Sequence, residues 1–151
     1  LPEEMQPELT IVGDGPVRPD LEGLAREVYP RTVFTGEKHG DDVRPYFRAA
    51  DLFVLPGTGG LAVQHAMSEG LPVLVAEADG TQGDLVRSGN GWQLPAGDLD
   101  ALADRLRDAL KDPARLRAMG RESFRIVCEE VNLDVMVAVF AQAVRVVRAR
   151  G

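Results

Sequence analysis

The sequence predicts an α/β protein with a doubly wound parallel sheet of the Rossmann-like class. Short apolar runs such as DLFVL and PVLV alternate along the chain with segments of helical periodicity, which is the pattern of successive βαβ units. Both runs fit parallel strands that are buried on both faces. The length of 151 residues suits one domain.

Apolar runs and their flanking turn residues place the strands in order. The predicted strands are residues 9–12, 32–35, 51–55, 72–75 and 92–94. Between the first two strands, Leu21, Leu24, Ala25 and Val28 have the spacing of one helical face. Further helices are predicted at residues 61–69 and 81–87.

Capping residues place the other helices. Asp41 or Asp42 can cap a helix that ends near residue 50, and Asp98 can cap a later one. Asp112 is followed by proline, the arrangement of a cap before the first helical position. The last helix is predicted to start near Asn132, and its run at residues 135–141 is apolar on every side.

Composition excludes several classes of protein. The net charge is −7, with 24 acidic against 17 basic residues, which disfavours a nucleic-acid partner. No run of 18 apolar residues indicates a membrane span, and the acidic, proline-rich start does not resemble a signal peptide. The single Cys128 favours a reducing cytoplasm. With only His39 and His65 besides, no zinc site is expected.

Glycine-rich loops follow four of the predicted strands, where a parallel sheet binds its ligands. The loops are GDGP (13–16), GEKHG (36–40), PGTGG (56–60) and EADGTQG (77–83). In the third loop, Gly57, Gly59 and Gly60 lead directly into a helix, so backbone amides and the helix dipole favour a phosphate there. For any single glycine, the alternative is a tight turn that needs a positive φ.

Other nucleotide and metal motifs are missing. GDGP lacks the G-x-G-x-x-G spacing of dinucleotide binders, and no G-x-x-x-x-G-K-[ST] occurs. The DLD at residues 98–100 could bind a divalent cation, but a helix cap explains it more simply. We therefore expect no cofactor and no metal.

Taken together, these motifs resemble the C-terminal, donor-binding domain of GT-B-fold glycosyltransferases of the family 4 type. The stretches LTIVGDGPVRPDLEGLA, VFTGEKHGDDVRPYFRAADLFVLPG, GLAVQHAMSEGLPVLVAEADGTQGDLVRSGNGWQLPAGDLDALADRL and DPARLRAMG follow the family's order and approximate spacing. The resemblance implies a nucleoside-diphosphate sugar as the substrate.

The resemblance also implies a set of site residues. Gly13 and Gly15 would lie near the donor pocket; Thr35, Gly36, Glu37 and Lys38 against the base; and Gly57, Thr58, Gly59, Gly60, Leu61 and Ala62 around the distal phosphate. His65 occupies the place of the second glutamate of the family's E-x7-E motif, which contacts the ribose. Asp84 matches a further acidic residue of the family. The alternatives are an ordinary helix histidine and a charge at a helix start.

The chain departs from the family pattern in two places. Gly57 stands where the first glutamate of E-x7-E is expected, and the loop is about three residues shorter than usual for the family. The family's first strand, with its GR pair and a nearby lysine, is not present before Leu1. We therefore expect residues 1–151 to be a truncated nucleotide-sugar-binding domain. Its sheet would pair the first and third strands directly or borrow a strand.

These points predict the donor-binding half of a retaining glycosyltransferase that has no catalytic residue of its own and transfers no sugar alone. The acceptor-binding N-terminal domain would be missing, together with any membrane contact. The helix at 132–151 would pack toward that domain, or would expose an apolar strip that a second copy could cover. Alternatives are a UDP-sugar epimerase-like GT-B domain and a non-catalytic nucleotide-binding or assembly module.

Overall fold

A computed structural model of the chain describes residues 6–57, 59–77 and 80–149. Its strands are β1 (Leu9–Ile11), β2 (Thr32–Phe34), β3 (Phe53–Leu55), β4 (Val73–Ala76) and β5 (Gly91–Leu94). Its α-helices are α1 (Arg18–Val28), α2 (Arg44–Ala49), α3 (Gly60–Ser68), α4 (Thr81–Leu85), α5 (Leu99–Leu110), α6 (Pro113–Glu129) and α7 (Leu133–Ala149). The chain divides into two compact units, Leu1–Ala49 and Ala50–Gly151.

The first unit is a βαβ arrangement. Strands β1 and β2 pair in parallel with Thr10 opposite Val33, and α1 connects them. A 3₁₀ turn at Gly40–Val43 leads into α2, in which Phe47 is buried. The predicted strands and connecting helix are therefore confirmed in this unit.

Burial in the first unit differs from the prediction. The two strands carry exposed apolar side chains, and α1 buries no residue: Leu21, Leu24 and Val28 are 43%, 54% and 64% exposed. A two-stranded sheet with one connecting helix has too little surface to cover both of its faces. The predicted apolar face of α1 is therefore not buried among the described residues of this unit.

The predicted cap of the second helix is also wrong. The segment begins as a 3₁₀ turn after His39, which makes no side-chain cap bond, and Asp41 and Asp42 lie inside the turn. Asp41 instead forms an ion pair with Arg44, in which Oδ1 of Asp41 lies 3.5 Å from Nη1 of Arg44. Either aspartate could cap a helix by residue type. The backbone shows that both lie after the first residue of the segment, so neither occupies the cap position.

The second unit contains the core. Its sheet has the order β3-β4-β5, entirely parallel, and all four residues of β4 are buried. Helix α3 buries Val63, Ala66 and Met67 against this unit's interior. The prediction of a strand buried on both faces is confirmed for β4, because successive side chains point to opposite faces and all four are buried. The residues of β3, in the DLFVL run, are only half-buried.

Hydrogen bonds of the buried Asn90 side chain connect the end of α4 to α6. The Asn90 amide donates to the Leu85 carbonyl at 3.1 Å and to Ser123 Oγ at 3.4 Å. Its Oδ1 accepts from the Arg87 backbone at 2.7 Å. Because Asn90 and Ser123 are both fully buried, these bonds satisfy groups that would otherwise be costly to bury.

Three predicted helix starts are confirmed by their caps. Asp98 accepts from the Ala101 amide at 2.8 Å, and Asp112 accepts from the Arg115 amide at 2.9 Å. Asn132 accepts from the Val135 amide at 2.9 Å before α7. Each cap satisfies a first-turn N–H group, so the residues next to each helix start suffice to predict where the helix begins.

The sheet organisation confirms the α/β class with parallel strands. The first unit contains a two-stranded sheet and the second a three-stranded sheet. None of the helices described is long and apolar enough to cross a bilayer.

Candidate functional site

In the first unit, the loops after β1 and β2 are joined at the carboxyl ends of the strands. The Gly13 amide donates to the Gly36 carbonyl at 3.0 Å, and the Thr35 amide donates to the Ile11 carbonyl at 3.0 Å. Thr35 Oγ1 also reaches the Gly36 carbonyl, at 3.0 Å. Two loops predicted from separate motifs thus form one backbone-rich surface.

An arginine lies against the backbone of this surface. A Cβ built on Gly36, whose φ is +74°, would lie 3.1 Å from Nη1 of Arg18. Arg18 is itself held by Glu22 at 2.7 Å and Asp14 at 3.1 Å. The hydrogen bond that Arg18 donates to Glu22, more than any other contact, raises the pKa of the guanidinium above its ordinary value.

These contacts bear on which cation could meet a phosphate. Two carboxylates already occupy Arg18. Lys38 is half-buried and has no ion-pair partner within the described segments. Glu37 pairs with His39 at 3.1 Å, both largely exposed. Lys38 is therefore the better candidate in this unit. The amides of both predicted glycines are engaged, that of Gly13 by the Gly36 carbonyl at 3.0 Å and that of Gly15 by Asp14 at 2.8 Å.

In the second unit, a parallel strand leads through glycines into a helix. β3 ends at Leu55, and α3 begins at Gly60. Gly59 precedes the helix with φ +147°, a conformation that side-chain-bearing residues rarely adopt, and a Cβ there would press on Leu55 at 3.3 Å. Thr58, also predicted here, lies outside the described residues.

The start of α3 exposes backbone donors. As first-turn residues, Gly60, Leu61 and Ala62 have no acceptor one turn earlier within the helix. Leu61 is 84% exposed and Ala62 is exposed, whereas Val63 is fully buried. The amide ends of α3 therefore face accessible space at the positive pole of the helix dipole.

His65 lies on the outer face of the same helix. It is one turn beyond Leu61 and Ala62, so the three residues share a face opposite the buried Val63 and Met67. Side chains on a helix lean toward its N-terminus, which brings the half-buried imidazole toward the exposed amides. The structure thus brings together the phosphate and ribose candidates of this unit.

Asp84 lies at a less informative position. It is exposed in α4, a helix of five residues preceded by Gly80, and it has no ion-pair partner among the residues described. The neighbouring Gln82 is buried, and its amide nitrogen and oxygen have no hydrogen-bond partner among the residues that the structure describes. Nothing in α4 distinguishes a ligand contact of Asp84 from a charge at a helix start.

Potential metal ligands do not gather in the part of the chain that the structure covers. No group of three or more His, Cys, Asp or Glu side chains occurs there that could hold a metal ion. Cys128 is a free, exposed thiol. The expectation of a metal-independent protein remains a prediction.

Sequence reasoning missed one aromatic feature of the second unit. Trp92 on β5 lies between two guanidinium groups, Arg105 at 5.9 Å and Arg115 at 5.4 Å from the ring centroid. These three residues come from β5, α5 and α6, so the Trp ring joins the elements through cation–π contacts. No local signal could have found it, because the partners are distant in sequence.

Comparison with known sequences identifies the family. The sequence model of the family described as glycosyl transferases group 1 matches residues 2–112. The chain belongs to this family. Sulfoquinovosyl transferase SQD2 of Arabidopsis thaliana is 34% identical over 120 residues, which are 75% of this chain and 23% of the relative.

Further similarities agree in sequence and in fold. A GDP-mannose-dependent alpha-mannosyltransferase of Mycobacterium tuberculosis (strain CDC 1551 / Oshkosh) is 35% identical over 135 residues, 82% of this chain and 34% of the relative. The structure of sucrose-phosphate synthase from Thermosynechococcus elongatus has a TM-score of 0.78 and 28% identity, covering 95% of this chain and 39% of that one. The chain thus spans about a quarter to two fifths of the length of these three proteins.

Proposed function

We propose that this chain binds the nucleoside-diphosphate sugar of a glycosyltransferase, and that the whole enzyme transfers the sugar to an acceptor. One observation carries the proposal: the exposed first-turn amides of α3 follow a positive-φ glycine at the carboxyl end of a parallel strand. Such amides and the helix dipole suit a diphosphate. Family membership supports the reaction class, and the GDP-mannose-dependent relative supports a nucleotide-sugar donor.

Four of the predicted residues in the second unit have a role in this proposal. The amides of Gly60, Leu61 and Ala62 would bind the distal phosphate, and His65 would hydrogen-bond a ribose hydroxyl as donor or acceptor. The exposure of Leu61 and Ala62 supports the first assignment most directly.

The chemistry would follow from binding rather than from a side-chain acid or base. We expect transfer with retention and without a metal, driven by orientation of the donor and stabilisation of the leaving diphosphate. The matched family and the relatives described above are transferases, which favours transfer over the epimerase-like alternative. A non-catalytic nucleotide-binding module would bind the same nucleotide, but the longer protein that contains it would transfer no sugar.

Two substitutions at one position test the phosphate site. Gly60→Pro removes one N–H donor, and proline is tolerated at the first position of a helix. Gly60→Ala adds a similar Cβ but keeps the donor. Losing a hydrogen bond to a charged group costs about 1.5–3 kcal/mol, so Gly60→Pro should raise the nucleotide Kd about 10- to 100-fold relative to Gly60→Ala.

Calorimetric titration with UDP, GDP and ADP measures this difference. Circular dichroism of both variants controls for folding. Equal affinity of the two variants for every bound nucleotide would remove the α3 amide of residue 60 from the site. Failure of the unmodified chain to bind any of the three would count against the donor-binding proposal itself.

A further inference from the structure

Two arginine side chains approach the only tryptophan of the chain. The Trp92 cluster consists of Trp92 on β5, Arg105 on α5 and Arg115 on α6. The guanidinium carbons of Arg105 and Arg115 lie 5.9 Å and 5.4 Å from the ring centroid. Because both cations lie against the same ring, they repel each other, and the ring supplies no net negative charge to offset that repulsion. The cluster therefore carries uncompensated positive charge.

Carboxylates of the described chain do not supply the missing negative charge. Neither arginine of the cluster has an ion-pair partner within residues 6–57, 59–77 and 80–149. The aspartates nearest to them along the two helices already form two ion pairs and a helix cap. These contacts are Asp104 with Arg107 at 2.6 Å, Asp108 with Lys111 at 3.2 Å, and Asp112 with the Arg115 amide at 2.9 Å. The compensating anion must therefore come from elsewhere.

A buried donor in the cluster also lacks an acceptor. The Nε atom of Arg105 is buried, and no hydrogen-bond partner for it occurs among the described residues. A guanidinium group has five N–H donors and no acceptor, so this Nε–H needs an oxygen from another group. Buried polar groups are normally hydrogen-bonded, because leaving one unpaired is costly. An anion with oxygen acceptors would satisfy this donor and also offset the repulsion between the two arginines.

The cluster lies away from the start of α3, which carries the proposed phosphate amides. Trp92 is the second residue of β5 and is paired with Leu74, the second residue of β4, so it lies in the amino-terminal half of these strands. The amides of α3 follow the carboxyl end of β3 in the same parallel sheet. A ligand at the cluster would therefore occupy a second site in this unit.

We propose that the Trp92 cluster binds the phosphate group of a ligand other than the sugar donor. A guanidinium group can donate two parallel hydrogen bonds to phosphate oxygens, and a phosphate monoester carries a charge of about −1.5 to −2 at pH 7, which two arginines match. Arg115 is exposed and accessible to a ligand, and the half-buried Arg105 supplies the unpaired donor. Free phosphates and anionic phospholipid headgroups share this chemistry, and the experiment below distinguishes them.

Titration of the 151-residue chain with inorganic phosphate, followed by tryptophan fluorescence, tests the site. Trp92 is the only tryptophan, so the emission reports on this cluster. The unmodified chain should give a saturable change that sodium chloride of equal ionic strength does not give. Losing hydrogen bonds to a charged group should raise the phosphate Kd of Arg115→Gln about 10- to 100-fold. Arg117→Gln is the matched control, because Arg117 is exposed on the same helix, has no ion-pair partner in the described residues and lies outside the cluster.

A second readout and a second background separate this site from the start of α3. Replacing an arginine beside the ring also alters its emission, so the rise in unfolding temperature with added phosphate is measured as well. Both measurements are repeated in the Gly60→Pro background, which removes one α3 donor. The difference between Arg115→Gln and Arg117→Gln should be the same in that background. A phosphate response that Gly60→Pro abolishes would assign the anion to α3 and overturn the proposal.

Vesicles identify the source of the phosphate. A response to inorganic phosphate assigns the site to a free phosphate compound. A response only to phosphatidate vesicles, absent with phosphatidylcholine vesicles and lost in Arg115→Gln, assigns it to a lipid headgroup. No response to either probe would overturn the proposal, and so would equal weakening by Arg115→Gln and Arg117→Gln. Acetate that competes as well as phosphate would overturn the phosphate class.

Discussion

At the scale of single residues, the packing of α3 on α6 depends on the missing side chain of Gly120. A Cβ at Gly120 would overlap the carbonyl oxygen of Gly70, which ends the turn after α3 with φ +80°. The obstacle is backbone and not the tip of a flexible side chain, so it cannot move aside cheaply. α3 carries the proposed phosphate amides, so this contact also holds the candidate site in place.

Gly120→Ala should therefore destabilise the fold by about 1–3 kcal/mol, the usual cost of overpacking a well-packed interior. Urea unfolding followed by circular dichroism measures the change. Gly83→Ala is the control, because a Cβ at Gly83 meets nothing within 4 Å and its φ is not positive. A Gly120→Ala protein as stable as the Gly83→Ala protein would show that α6 can shift without cost.

At the scale of elements, the end of α6 is joined to the segment after α4 by a network of ion pairs. Arg125 contacts Glu122, Glu129 and Glu130 at 2.7–2.8 Å, and Arg87 contacts Glu130 at 2.7 Å. Hydrogen bonds from Arg125 lower the pKa of Glu122, and those from Arg87 and then Arg125 lower the pKa of Glu130.

The network should stabilise the protein at neutral pH and fail in acid. Because the folded pKa values lie below the ordinary value of 4.5, the contribution is full above that pH and is lost as the pH falls through the folded values. Glu130→Gln should lower the urea midpoint at pH above 4.5, and the difference from the unmodified chain should shrink on acidification.

Glu27→Gln is the matched control for this pH dependence. Glu27 is exposed on α1 and has no ion-pair partner in the described residues, so its replacement should leave the midpoint unchanged at every pH. A gap between Glu130→Gln and the unmodified chain that persists in strong acid would point to packing rather than charge.

At the scale of the whole molecule, the chain spans only part of the proteins it resembles. It covers 34% of the mannosyltransferase relative and 39% of sucrose-phosphate synthase. We expect acceptor binding to need residues outside the matched region. Orientation of two substrates can supply about 7–11 kcal/mol of barrier lowering, which donor binding alone does not provide.

The purified 151-residue chain should therefore bind nucleotide without turning over any donor. Incubation with UDP-, GDP- and ADP-sugars, followed by chromatography of released nucleotide, should give no product above buffer. Nucleotide binding measured on the same preparation shows that the chain is folded. Hydrolysis or transfer that disappears in His65→Ala would contradict the expectation and give His65 a part in turnover.

The sequence by itself determined the local elements and the residue types of the candidate site. Caps at Asp98, Asp112 and Asn132 act within one turn, so neighbouring residues suffice to predict them. The glycines before α3 predicted an exposed helix start for the same reason. The parallel direction of the strands followed from the alternation of elements.

Only the tertiary structure decided what depends on distant parts of the chain. It showed that Arg18 is occupied by two carboxylates, that the guanidinium groups of Arg105 and Arg115 lie within 6 Å of the Trp92 ring centroid, and that apolar side chains of α7 are exposed. An apolar face looks the same in sequence whether or not another element covers it. Whether a face is buried depends on the elements that folding places against it. The hydrophobic periodicity of one segment describes that segment and not its packing partner.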